Sequence, residues 1–242
     1  MYLAARQSLI LVVRPKSMLR IALLFLLIFP LCAYSTESVC YGTPSNGRLK
    51  GGVRIEHSGT NFGPYSELGI VLGRTYVHSN IKRVITDAYA SLARTNPDKF
   101  YVYGESGLIT GGPIKPHRTH KNGLAVDFMV PVVNADNKSV PLPTSAFNKY
   151  GYDIEFNANA RYKNYSIDFE AIAEHLYALH GAAKANKVAL SRVIFDPVFV
   201  PKLYGTKRGK FIRKNIRFMA GKAWIRHDEH YHVDFTLPCK KL

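Results

Sequence analysis

Three histidines crowded near the C-terminus, His227, His230 and His232, and a His/Asp pair upstream, His120 and Asp127, are the side chains best suited to metal chemistry. In an extended strand successive side chains alternate faces, so His230 and His232 project from one face about 7 Å apart and can share one ion. Upstream, Gly123 permits a turn, and the apolar row Leu124, Val126, Phe128 alternates as a strand does, which leaves Asp127 facing the other way. Imidazole nitrogen and carboxylate oxygen suit zinc, and three protein ligands with a fourth position left to water make a catalytic rather than a structural site. The chemistry implied is hydrolysis. A lone His-x-His is usually incidental, and the second pair gives this one its weight. His57 and His78 lack such company and read as ordinary histidines, as do His175 and His180 on a predicted helix.

The elements that must position these side chains belong to an α+β domain with a small antiparallel sheet carrying the site, two main helices and long loops. Residues 36–75 hold Gly, Ser, Asn and Pro at short intervals and predict loops with at most short strands. Ser79 caps a helix whose buried face is Ile81, Val84, Ile85, Ala88, Tyr89 and Leu92, stopped by Asn96-Pro97. Phe100–Gly104 reads as a strand, and Gly111-Gly112-Pro113 leads flexibly to His117 and His120. Residues 131–165 lack periodicity and form an excursion beside a substrate groove. Ser166 or Asp168 caps a second helix running to Gly181, Val188–Phe195 is a strand, and Asp196-Pro197 opens a short helix to Tyr204. Lys207–Arg217 carries six bases, equally readable as a solvated loop or as a contact to substrate carboxylates. Val233, Phe235 and Leu237 then alternate into the core.

The first thirty-five residues contain four bases, no acid and the apolar run Ile21–Leu31, the pattern of a cleaved signal peptide. The run is too short for a stable membrane span. Residues 1–17 read as a start-site artefact because Met18 would begin a more ordinary leader. Residues 36–242 are then a single mature domain whose charge falls from +16 to +12 on loss of the four bases. So basic a balance calls for an anionic partner; nucleic acid, anionic lipid and the carboxylate-rich cell wall all qualify on charge, and secretion argues against nucleic acid. Cys40 and Cys239 are the two cysteines left, an even count in an oxidising compartment, and predict one disulfide.

The pattern Gly111-Gly112, His117, His120, Gly123, Asp127, then Trp224, His227, His230, His232 resembles the penicillin-insensitive murein endopeptidases of the wider lysostaphin-type and D-Ala-D-Ala metallopeptidase group. The likeness extends through Arg192–Phe195, Pro197 and Pro238-Cys239, about half of the mature chain. It implies a periplasmic zinc enzyme that cuts peptide cross-links of peptidoglycan, typically between D-alanine and meso-diaminopimelate, by attack of a zinc-bound water. By position, His120, Asp127 and His232 correspond to the zinc ligands and His230 to the histidine that orients the reacting carbonyl. His227 corresponds to the general base, with Glu229 its rival; His117 matches a further family histidine, a second metal or substrate contact, and Trp224 a substrate contact. Three positions is an odd step along a strand, so a role for His227 beside His230 requires a turn around Asp228 and Glu229. The same group contains D,D-carboxypeptidases, dipeptidases and non-catalytic wall-binding proteins with a structural zinc, and these are the alternatives.

Overall fold

Two apolar rows, Leu124-Val126-Phe128 and Tyr231-Val233-Phe235, put the two middle strands of the central sheet side by side with one shared hydrophobic face, all six residues being buried. The computed structural model describes residues 37–221 and 223–242, and the predicted leader, residues 1–35, lies outside them. Glu37–Leu242 form one contact unit.

In chain order come a hairpin of β1 (Val39–Thr43) and β2 (Asn46–Lys50), the short strands β3 (Val53–Arg54) and β4 (Phe62–Pro64), helix α1 (Glu67–Val71), β5 (Tyr76–Val77) and the long helix α2 (Ser79–Thr95). β6 (Tyr101–Tyr103) and β7 (Ala125–Met129) follow. The excursion then folds as β8 (Val132–Val133), β9 (Ser139–Val140), a 3-10 segment (Ala146–Gly151), β10 (Arg161–Tyr162) and β11 (Tyr165–Ile167). The chain closes with helix α3 (Phe169–Ala185), β12 (Ala189–Ile194), the short helices α4 (Val200–Tyr204) and α5 (Gly209–Asn215), and β13 (His230–Thr236). The central sheet runs β12-β13-β7-β6-β4, antiparallel except for the parallel pair β6/β4. It is a mixed α+β fold.

Local chemistry explains most of the boundaries. The cap of α2 is His78, one residue before the predicted Ser79, because its Nδ1 accepts the Asn80 amide at 3.1 Å. The helix stops at Asn96 because the residue before Pro97 is driven out of the helical region. Asp168 caps α3 by accepting the Ala171 amide at 3.0 Å. That helix runs past the predicted end at Gly181, since a mid-helix glycine costs about 1 kcal/mol and the next turn buries Ala183. His175 of α3 is a packing residue: it stacks on Tyr89, meets Phe128 edge-on and bonds the Tyr231 hydroxyl, and burial pushes its pKa down to about 3.

Three expectations change. Helix α1 interrupts the predicted loop region, capped by Ser66, whose hydroxyl accepts from Gly69. The short helix after Pro197 begins only at Val200, because Asp196 Oδ1 takes the Val198 amide in a turn. The basic run Lys207–Arg217 contains α5, held by buried Ile212 and by Phe211 against Tyr177. Cys40 and Cys239 are joined by a disulfide, with Cα atoms 4.9 Å apart. Among the described residues no helix is long and apolar enough to cross a membrane.

Candidate metal centre

Strand register assembles the centre. Asp127 on β7 is paired with His232 on β13, with Met129 opposite His230 and Ala125 opposite Asp234, so Asp127, His230, His232 and Asp234 share one face. The opposite face of β13, Tyr231, Val233 and Phe235, is sealed in the core. His120 arrives from the loop before β7 with φ +66, a left-handed conformation that is uncommon for a residue with a side chain and that recurs at functional sites. Gly123, φ +76, makes the turn between them, where a Cβ would lie 2.7 Å from the His78 amide.

Four imidazoles surround the Asp127 carboxylate, and each is anchored on its outer nitrogen. His120 Nδ1 donates to the Ser106 carbonyl at 3.1 Å, His232 Nε2 to Asp234 Oδ1 at 2.8 Å and His117 Nε2 to Glu105 Oε2 at 2.6 Å, while His230 Nδ1 accepts at 2.7 Å from Glu229, whose carboxyl pKa is pushed up to about 8 by burial. The inner nitrogens converge on the carboxylate. His232 Nδ1 and His120 Nε2 lie 2.9 and 3.3 Å from Oδ1, while His117 Nδ1 and His230 Nε2 lie 3.6 and 3.8 Å from Oδ2. Tyr152 completes the Oδ2 side, its hydroxyl donating to Asp127 at 3.1 Å and accepting the Glu105 amide at 3.0 Å. Gly104 makes room for it, since a Cβ there would come within 2.9 Å of that hydroxyl.

Donor chemistry and geometry fit a metal ion. His117, His120 and Asp127 each offer a ligand atom, all within 4.8 Å of one another, and His232 Nδ1 reaches the same carboxylate at 2.9 Å. His120 Nε2 is fully buried and makes no hydrogen bond, its approach to Asp127 being off-axis. A buried nitrogen left without a proton partner is costly unless a cation takes its lone pair. Anchoring the outer nitrogen of a ligating histidine on a carboxylate or carbonyl fixes its tautomer and strengthens it as a ligand.

The charges are tightly coupled. Burial opposes ionisation of Asp127, but the surrounding histidines outweigh it and hold its pKa well below the carboxylate range. Burial likewise opposes a charge on His232, yet its bonds to Asp127 and Asp234 raise it to about 9. Burial lowers His120, and brings His230 down to about 4 and His227 to about 3. Glu105 sits near 2 despite its burial, because His117 and Arg74 both bond it.

His227 lies outside the regular strand, which begins at His230, and its ring is 4.6 Å from that of His230. The turn required at Asp228 and Glu229 is present, fastened by Asp228 Oδ2 accepting from the Phe156 amide and from Arg226, both at 2.6 Å. His227 Nδ1 donates to the Ile225 carbonyl at 2.9 Å, which leaves Nε2 as the acceptor. Glu229 is spent on His230, and it is absent from the walls of the cleft. That cleft, about 910 Å³, opens over His117, His230 and His232 and adjoins a second cavity of about 430 Å³ across His227. Trp224 stands in its wall, 53% exposed.

Sequence reasoning passed over Asp234, Glu105 and Tyr152. Asp234 continues the alternation His230, His232, Asp234 and could have been found from it. Glu105 and Tyr152 carry no signal, since only the fold brings the loop after β6 and the aperiodic excursion to the carboxylate.

No curated protein matches the chain. A family model described as penicillin-insensitive murein endopeptidase matches residues 40–241. With nearly all of its described residues inside that match, the chain belongs to the penicillin-insensitive murein endopeptidase family, enzymes that act on peptidoglycan.

Proposed function

We propose that this protein is a zinc-dependent endopeptidase that hydrolyses peptide cross-links of peptidoglycan in the periplasm, at the bond between D-alanine and meso-diaminopimelate. The observation that carries the reading is the ring of four outward-anchored imidazoles aimed at one buried carboxylate. His120 Nε2, Asp127 Oδ1 and His232 Nδ1 are the ligand set we favour, because both nitrogens face the same carboxylate oxygen and Asp234 backs His232 from behind. The trio His117, His120 and Asp127 is the competing set, favoured by its mutual closeness. Zinc held there supplies a Lewis acid for the scissile carbonyl and a water acidified to a pKa of about 7.

The remaining groups handle the substrate. His230, its Nδ1 accepting from the Glu229 carboxyl, keeps its proton on Nε2, donates it in a hydrogen bond to the carbonyl oxygen and stabilises the charge that develops there. His227 Nε2, left unprotonated by the bond from Nδ1 to Ile225, accepts the proton of the attacking water and returns it to the leaving amine. No serine is acylated in this scheme, which accounts for indifference to β-lactams. The disulfide and the predicted leader support a periplasmic location.

Purified cross-linked muropeptide dimers, incubated with the protein with and without chelator and resolved by mass, test the reading. Monomers that vanish with chelator and return with zinc are expected. Release of terminal D-alanine alone would instead mark a D,D-carboxypeptidase, and stoichiometric zinc without any cleavage a wall-binding protein.

A further inference from the structure

Histidines apart, five acidic or basic side chains line the cleft: Glu105, Arg118, Lys149, Asp153 and Arg192. Four of them are already matched. Glu105 is held by Arg74 at 2.7 Å and by His117, Lys149 pairs with Asp153 at 2.9 Å, and Arg192 bonds Asp234 at 2.9 Å. Among the described residues Arg118 has no carboxylate within ion-pair distance. Its guanidinium lies instead 4.7 Å over the ring of Trp224, in the same wall.

Stacking on an aromatic face restrains an arginine while leaving its planar edge of N–H donors open, and that edge is complementary to a carboxylate. Arg118 adjoins His117 and is two residues from His120, and it shares the cleft wall with His117, His230 and His232. We infer that Arg118, presented by Trp224, binds a free carboxylate of the peptide next to the scissile amide and makes the enzyme selective for cross-links in which that carboxylate is not amidated. The inference rests on the endopeptidase reading and adds to it the charge state of the substrate.

The test uses two muropeptide dimers that differ only in this group, acid in one and primary amide in the other. Zinc-loaded wild-type protein should cleave the acid with kcat/KM about tenfold higher, the ratio expected for one partly exposed charge-assisted contact. In Arg118→Gln the ratio should fall to about one, with Arg118→Lys intermediate and zinc content equal in all three. An unchanged ratio, or equal loss on both substrates, overturns the inference and leaves the endopeptidase reading standing. If wild-type protein cleaves neither dimer, the endopeptidase reading fails, and calorimetric binding of the same two dimers to the full chain decides the inference alone. A preference for the acid that Arg118→Gln abolishes upholds it, and equal binding of acid and amide sinks it.

Discussion

Asp127 and His232 are directly opposed on two antiparallel strands, with carboxylate Oδ1 2.9 Å from ring Nδ1, while the other ring nitrogen is fixed by Asp234 at 2.8 Å. Carboxylates on both ring nitrogens fix the orientation of the His232 imidazole, which under the proposed ligand set turns Nδ1 toward the metal. His232→Ala should therefore abolish zinc retention, and Asp234→Asn should weaken it about ten- to hundredfold in a chelator competition. His117→Ala should keep most of the zinc. If His117→Ala lost zinc and His232→Ala kept it, the ligand set would be His117, His120 and Asp127.

Tyr152 is hydrogen-bonded both to Asp127 and to the Glu105 amide. Tyr152→Phe removes a donor from the carboxylate and strands a backbone amide, which should cost about 1–2 kcal/mol in urea unfolding. Zinc affinity should fall with it, because the carboxylate is then free to rotate. Unchanged values of both would show that the hydroxyl is idle.

His230→Ala should bind zinc as the wild type does and lose turnover about 10²- to 10⁴-fold. His227→Ala should do the same, and Glu229→Gln should lose less, since its part is to orient His230. Metal content by atomic absorption beside muropeptide kinetics separates these outcomes. A Glu229 variant as damaged as His227→Ala would reassign the base.

Acid should destabilise the fold in part through His175. Buried and neutral, it has a pKa pushed down to about 3, against an ordinary value near 6.5. The unfolded chain therefore binds a proton that the folded chain refuses, and the stability present above pH 6.5 is lost as pH falls toward 3. His175→Gln, uncharged throughout, should flatten the fall in unfolding free energy across that window by up to one proton. Parallel curves for the two proteins would show that His175 is not the group responsible.

Opening the Cys40–Cys239 bridge releases a loop spanning 199 residues. Chain entropy alone puts the loss at about 5 kcal/mol. Cys239→Ser should accordingly melt well below the wild type, and non-reducing mass analysis of the wild type should find no free thiol at either position.

Much of this was legible in the sequence because it follows from periodicity. The spacing of His230 and His232, the opposition of Asp127 to Leu124, Val126 and Phe128, and the buried faces of the two long helices depend only on the repeat of a strand or helix. What was not legible comes from contacts distant along the chain. Tyr152 reaches Asp127 only because the excursion folds back over Gly104, and Glu105 matters only because His117 and Arg74 meet there. The basic stretch 207–217 read as loop because its charges hide the two residues, Phe211 and Ile212, that hold α5 in place.

Strand β13 is buried on both faces, with His230, His232 and Asp234 on one and Tyr231, Val233 and Phe235 on the other. A single-residue slip against β7 would drive two imidazoles and a carboxylate into the aromatic core and leave three apolar side chains facing the Asp127 carboxylate. Misregistered forms are therefore penalised twice, by solvation and by loss of the bonds from His232 to Asp127 and Asp234. Insertions or deletions within residues 230–236 should consequently be far less tolerated than in the loops at either end, whatever residue is added.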